Sequence, residues 1–298
     1  MGLTGSGKTD LAMKLYDAAP CEIISVDSAM IYKGMDIGTA KPEPELLEKY
    51  PHFLIDIVEP TQSYSAADFV SNVCPLINAI HERGNIPILV GGTMMYFKAL
   101  QQGLNQLPES QTDIRQQLQL QHAQHGLAHL YEQLQQCDPV MAQKLKPNDS
   151  QRILRALEVF QISKQPMSEL LKAETRPVNF NFENFAIIPT ERKSLHQRLA
   201  DRFELMLANG FEAEVSKLIS LGVDVAMPSM RCVGYKQMAS YLQGQVTYQE
   251  MKQRAIAATR QLAKRQHTWL RKWPELTILA MDEVQQEHMV NNILRKIR

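Results

Sequence analysis

Gly2-Leu-Thr-Gly-Ser-Gly-Lys8-Thr9 matches the pattern G-x-x-x-x-G-K-[ST] at every fixed position, with a helical pattern directly behind it. Glycines in such a turn let backbone N–H groups converge on phosphate oxygens at a helix N-terminus, where the dipole favours anions. Lys8 adds a mobile cation, and the Thr9 hydroxyl can hold a magnesium ion bridging two phosphates. The pattern predicts a di- or triphosphate ligand without choosing between them. It ordinarily follows a buried strand, whereas Met1 stands directly before Gly2 here. A start further upstream is therefore expected, the alternative being a sheet that lacks its usual strand under the loop.

A second group of residues could act on whatever lies beside those phosphates. Nucleoside triphosphatases often end a second strand in a carboxylate that orders magnesium. The run Ile86–Val90 instead leads into Gly91-Gly92-Thr93. The acid appears elsewhere, as Asp27 directly after Glu22-Ile-Ile-Ser-Val26. In an open α/β sheet the carboxyl ends of strands line the ligand crevice, so Asp27 and Thr93 are both predicted to face the phosphate loop. A carboxylate there can accept a proton from an attacking nucleophile; capping a helix is its plainer use. A third group is basic. From Met251 to Pro274 there are seven Lys/Arg and no Asp or Glu, with Trp269 and Trp273 among them. Arg260, Lys264, His267 and Arg271 recur at helical spacing and share one face, which suits either solvent or a nucleic acid.

The elements that must position these groups read as an α/β protein. Short β-branched runs at Glu22–Val26, His52–Ile57 and Ile86–Val90 alternate with helical patterns at Lys8–Ala18 and Ala66–Arg83. Such alternation implies a P-loop-type parallel sheet flanked by helices, which Phe185–Pro189 and Leu276–Ala280 could complete. Between Gln101 and Ser150 the chain carries thirteen glutamines and apolar residues at helical spacing (Ile114, Leu118; Leu127, Leu130, Tyr131, Leu134), cut by Pro108, Pro139 and Pro147. This stretch is read as an all-helical insertion over residues 108–180, leaving 1–107 and 181–298 as the catalytic core. Leu195, Leu199, Phe203 and Leu207 form an apolar stripe suited to core packing.

The 298 residues carry 32 Lys+Arg against 32 Asp+Glu, with 44% hydrophobic and 21% charged residues. That balance describes a folded globular protein, not a disordered or fibrous one. No apolar run approaches the ~20 residues needed to cross a bilayer. Without a secretory leader pattern, a cytoplasmic protein is expected. Cys21, Cys74, Cys137 and Cys232 are far apart, which argues for reduced thiols over a zinc site or disulfide framework. The neutral total conceals the basic segment and leaves a nucleic-acid partner open.

Taken in order, several motifs resemble the tRNA dimethylallyltransferase (tRNA isopentenyltransferase) family, in its bacterial form. They are Gly2–Thr9, Asp27-Ser-Ala-Met-Ile-Tyr32, Asp36-Ile-Gly-Thr-Ala-Lys-Pro42 and Val90-Gly-Gly-Thr93 with Tyr96. Further along come Asn148-Asp149, Gln151-Arg-Ile-Leu-Arg155, Arg231-Cys-Val-Gly-Tyr-Lys236, and Lys264-Arg-Gln266 with Thr268-Trp-Leu-Arg271. The resemblance implies transfer of a dimethylallyl group from its diphosphate to the exocyclic amine of the adenosine just 3′ of the anticodon. It implies catalytic roles for Asp27 as general base, Thr93 beside the adenine and Arg202 on the diphosphate. Gly2, Thr4, Gly5, Ser6, Gly7, Lys8 and Thr9 would bind the diphosphate, with Thr9 also contacting Mg2+. Contacts with the tRNA anticodon stem-loop are implied for Asp27, Ser28, Ala29, Met30, Thr93 and Arg115, and for Gln151, Arg152, Ile153, Leu154 and Arg155. Arg231, Cys232, Val233, Gly234, Tyr235, Lys236, Lys264, Arg265, Gln266, Trp269 and Arg271 complete that implied set.

The helical insertion is expected to grip the stem, the enzyme to act as a monomer, and no membrane to be involved. Two positions depart from the family's usual loop, Leu3 for proline and Gly5 for alanine, and Gly5 is expected only to loosen the turn. After Trp273 there is a single His288 and no cysteine, so the C-terminal zinc finger of eukaryotic members is not expected. A small-metabolite kinase using the loop for ATP, or a non-catalytic RNA-binding protein, would be the competing functions.

Overall fold

Ile23, Ile24 and Val26 are fully buried in β1 (Cys21–Val26), the central strand of a three-stranded parallel sheet in this computed structural model. The structure describes residues 1–175, 177–281 and 286–297. On one side β1 pairs with β2 (His52–Phe53), and on the other with β3 (Ile86–Gly91) from Cys21↔Ile86 through Val26↔Gly91. The segment expected to continue β2 to Ile57 leaves the ladder, because Leu54 (φ 64°) and Asp56 (φ 55°) adopt left-handed backbone that a pleated strand does not accommodate.

Strands β4 (Asn184–Pro189) and β5 (Leu276–Met281) pair in parallel as a separate two-stranded sheet and do not extend the first. Met1 and Gly2 run beside β4: Gly2 bridges Ile187, the Ile187 N–H donates to the Met1 carbonyl, and the Met1 amine donates to the Phe185 carbonyl. This contact with β4 is an isolated bridge outside the named strands.

The helices that precede the middle of the chain are α1 (Lys8–Ala18), α2 (Pro44–Lys49), α3 (Ala66–Glu82) and α4 (Met94–Gln102). A reciprocal Ser65–Asp68 capping box starts α3. Next come α5 (Thr112–Cys137), α6 (Pro139–Lys144), α7 (Ser150–Ser163) and α8 (Met167–Leu170), then α9 (Arg192–Ala208), α10 (Phe211–Ser220), α11 (Tyr235–Leu242), α12 (Tyr248–Leu270) and α13 (Gln286–Ile297).

The chain packs as two compact units, Met1–Ala99 with Phe180–Arg298, and Leu100–Asn179. In the first, one apolar cluster joins Ile31, Tyr32 and Met35 to Phe203, Phe211, Tyr235 and Met251, and another packs α1 with α13. The second unit is helical. Leu118, Leu130 and Leu134 of α5 meet Ile153, Ala156 and Leu157 of α7, and α5 breaks at Gly126. Asp138, fully buried, caps α6 through the Met141 N–H (3.0 Å) and holds α8 through the Ser168 N–H (2.8 Å). Among the described residues no helix is long and apolar enough to cross a membrane.

Candidate active site

The turn ahead of α1 places Gly7 at the helix N-cap in left-handed conformation, and no side chain caps the helix. Its first-turn N–H groups therefore remain available to an anion. Gly5 has φ +73°, a left-handed backbone that glycine takes without strain, and a Cβ added there would lie 2.9 Å from the tip of Leu199 at Cδ2. Burial lowers the Lys8 ammonium to about 8; Asp27 opposes that shift and Arg202 adds to it. Thr4, Lys8 and Thr9 face a cavity of about 590 Å³, whereas Gly2, Gly5, Ser6 and Gly7 shape the turn behind them without lining it. The Ser6 hydroxyl is buried without a hydrogen-bond partner.

Asp27 sits at the end of β1 and faces the same cavity. It caps no helix. Its Oδ1 accepts the Ala29 N–H at 2.9 Å and the Met30 N–H at 3.4 Å, which folds the chain into a turn. Thr93, at the end of β3, accepts the Ser28 N–H at 3.0 Å and donates to the Ser28 hydroxyl, fastening the two strand ends together. Arg202 comes from α9, where Leu199, Arg202, Phe203 and Met206 fall at i, i+3, i+4 and i+7 and line one wall. The apolar stripe expected there is buried at Leu195, Leu199 and Phe203, with Leu207 half-buried. Met30, Met94, Met95 and Leu262 extend the apolar lining.

Among the described lining residues Asp27 is the single carboxylate, facing Lys8, Arg202, Arg231 and Arg265. Cys232 also lines the cavity, but burial pushes its thiol up to about 12, so it stays protonated and is a poor nucleophile. The described residues contain no cluster of three or more His, Cys, Asp or Glu that could hold a metal alone. One hydroxyl and one carboxylate suit an ion held mainly by phosphate oxygens and water, as Mg2+ usually is.

The sequence model of the family described as IPP transferase matches residues 30–273. The chain belongs to the IPP transferase family. It is similar to the full-length tRNA isopentenylpyrophosphate transferase of Bacillus halodurans, at 34% identity over 99% of this chain and 94% of that one, with a TM-score of 0.72. The tRNA delta(2)-isopentenylpyrophosphate transferase of Staphylococcus epidermidis matches at 33% identity over 100% and 96% of the two chains, also with a TM-score of 0.72. A eukaryotic dimethylallyltransferase solved acting on tRNA matches at 26% identity, 99% of this chain, 76% of that one and a TM-score of 0.76. The protein is thus an enzyme of this transferase family with a P-loop-type fold.

In this family member the loop 36–42 closes another side of the cavity, contributing Gly38, Thr39 and Ala40. Sequence reasoning missed what holds it. The Glu214 carboxylate of α10 accepts three successive N–H groups, from Asp36 (2.9 Å), Ile37 (2.8 Å) and Gly38 (3.1 Å), and also the Tyr235 hydroxyl. Nothing local in the sequence signals a partner 178 residues away. Buried Lys41 ties the same loop to the Tyr32 carbonyl, Asp36 and Asp56.

Of the residues implied to meet RNA, Asp27, Ser28, Ala29, Met30, Thr93, Arg231, Cys232, Val233, Gly234, Tyr235, Arg265, Gln266 and Trp269 gather around the cavity; Lys236, Lys264 and Arg271 do not line it. The periodic basic stripe faces away. With 3.6 residues per turn, Arg260, Lys264, His267 and Arg271 lie about 160° around α12 from Thr259, Leu262, Arg265, Gln266 and Trp269. Tyr235 and Gln266 are buried with their polar atoms bonded inside the protein, which turns both into scaffold.

In the helical unit, Arg115, Gln151 and Arg152 are exposed, while Ile153 is fully buried and Leu154 packs half-buried on the same core. The Arg155 guanidinium bonds Glu158 (2.8 Å) and the Pro108 carbonyl (2.7 Å). The latter three side chains serve the unit's own packing.

Proposed function

We propose that the enzyme transfers a dimethylallyl group from dimethylallyl diphosphate to the exocyclic amine of the adenosine immediately 3′ of the anticodon in tRNA. One observation carries this reading: among the described residues one cavity joins a phosphate-binding turn, a single carboxylate and an apolar wall. The diphosphate sits on the turn, against Lys8, Thr9 and Arg202, and the allyl group lies along Met30, Phe203, Met206 and Leu262. A Mg2+ ion entering with the diphosphate, contacted by Thr9, would withdraw charge from the leaving group.

The adenine leaves its stack, at a cost of a few kcal/mol, and its amine approaches Asp27 and Thr93. Nitrogen attacks the allylic carbon as the carbon–oxygen bond breaks. The amine proton passes to the Asp27 carboxylate, and diphosphate departs with both electrons of the broken bond. Lys8 and Arg202 oppose the growing negative charge, and the apolar wall keeps water from the electron-poor carbon. Because both turn bonds fall on Asp27 Oδ1, the other oxygen is the one offered to the amine.

Around the mouth, Arg231, Arg265 and Trp269 suit phosphates and unstacked bases of an RNA loop. Arg115, Gln151 and Arg152 of the helical unit add contacts to the anticodon stem-loop. Every group named comes from one chain, so a monomer suffices, and a tRNA substrate places the reaction in the cytoplasm. Incubation with radiolabelled dimethylallyl diphosphate and unmodified tRNA tests the assignment. Label is expected in the RNA at the position 3′ of the anticodon; ATP consumption without labelled RNA would point to a kinase instead.

A further inference from the structure

Gln266 lies on the cavity-facing side of α12 with 7% of its surface exposed, too enclosed to serve as an open RNA contact. Its amide spends both of its ends on backbone. Oε1 accepts the Thr4 N–H at 2.8 Å, and Nε2 donates to the Gly92 carbonyl at 2.9 Å. Thr4 belongs to the phosphate turn, and Gly92 immediately precedes Thr93. A Cβ on residue 92 would lie 2.4 Å from Nε2, so the approach exists because position 92 is glycine. A primary amide accepts from one backbone group through its oxygen while donating to another through its nitrogen, without carrying charge. Carboxylate cannot donate, ammonium cannot accept, and a thioether of similar length satisfies neither partner.

We infer that Gln266 is a positioning residue that sets the spacing between the diphosphate cradle and the Thr93 segment facing the acceptor base. The inference rests on the proposed transferase reaction for its catalytic consequence, while the bridge itself stands on geometry alone. The amide thus links the turn proposed to hold diphosphate to the segment that carries Thr93. Reacting groups displaced by about 1 Å can lose two orders of magnitude in rate. Breaking the bridge should therefore lower kcat by about 10- to 100-fold while KM for tRNA moves less than about twofold.

The experiment uses the full-length enzyme, with Gln266→Met removing both bonds and Gln266→Glu keeping only the acceptor. Backbone hydrogen exchange is followed at residues 2–9 and 91–95 with and without inorganic diphosphate. In the wild type, diphosphate should slow exchange in both segments; in Gln266→Met, protection should be confined to 2–9. Gln266→Glu should retain the Thr4 bond and lose protection at 91–95, which keeps the test open should the methionine variant fold poorly. In prenyl transfer, Gln266→Glu should cost much less in a Thr93→Ala background than alone, because the two act through one position. Undiminished protection at 91–95 in both variants, or additive losses with Thr93→Ala, would overturn the inference. Absence of prenyl transfer by the wild type would sink the reaction instead, and the exchange measurement would still decide the bridge.

Discussion

Asp27 directly follows β1 and Lys8 directly follows the glycine turn, and both face one cavity together with Arg202. Replacing Asp27 with Asn keeps the turn acceptor at Oδ1 and removes the base. Turnover should fall about 100-fold or more, while diphosphate affinity changes little; single-turnover prenyl transfer and calorimetric binding measure the two separately. Lys8 carries a pH prediction. Burial brings it from 10.5 to about 8 in the free protein, and a bound diphosphate favours its charged form. Free Lys8 loses its proton as pH rises through 8, so affinity for dimethylallyl diphosphate should weaken above that pH, by up to about tenfold per pH unit. Binding at pH 8.5 should take up a proton, visible as a dependence of the calorimetric heat on buffer ionisation enthalpy. Lys8→Arg, charged throughout, should abolish the uptake. Both residues could be picked out from G-x-x-x-x-G-K-T and from a carboxylate after a β-branched run, because strand ends in parallel sheets converge whatever the later sequence.

Element by element, periodicity predicted existence well and direction poorly. The pattern Lys8–Ala18 became α1 with those bounds, whereas the strand beginning at His52 ended after two residues because Leu54 and Asp56 turn left-handed. On α12, spacing correctly grouped Arg260, Lys264, His267 and Arg271, but a stripe does not say which way it faces. Packing of Met251, Ala255, Ala263 and Leu270 into the interior turned Arg265 and Trp269 toward the cavity. Arg265→Ala should therefore raise KM for tRNA severalfold and flatten the slope of log affinity against log salt by about 0.7–1. Lys264→Ala, on the far face, should do less. Filter binding over a salt series compares them, and equal slopes for both variants would count against Arg265 as a phosphate contact.

On the scale of the whole molecule, the chain holds two compact units with separate cores, and the cavity lies within one of them. Asp138 is the buried pin of the helical unit. Asp138→Ala strands the Met141 and Ser168 N–H groups and should cost that unit about 2–4 kcal/mol. Thermal unfolding should show a lowered first transition, while binding of dimethylallyl diphosphate at 20 °C persists. Loss of both together would mean the units unfold as one.

Local chemistry was decided by the sequence alone: a phosphate turn, an acid at a strand end, a basic helix, helical and strand periods, and a glutamine-rich helical stretch. These depend on residue type and near-neighbour spacing, which the chain carries explicitly. The tertiary structure decided which of those residues meet. Glu214 reaching back to the loop 36–38, Gln266 joining Thr4 to Gly92, and Ile153 turning inward all join or bury residues by packing between distant segments. No local pattern encodes such contacts, because their energy comes from groups that become neighbours only after the helices and sheets have packed.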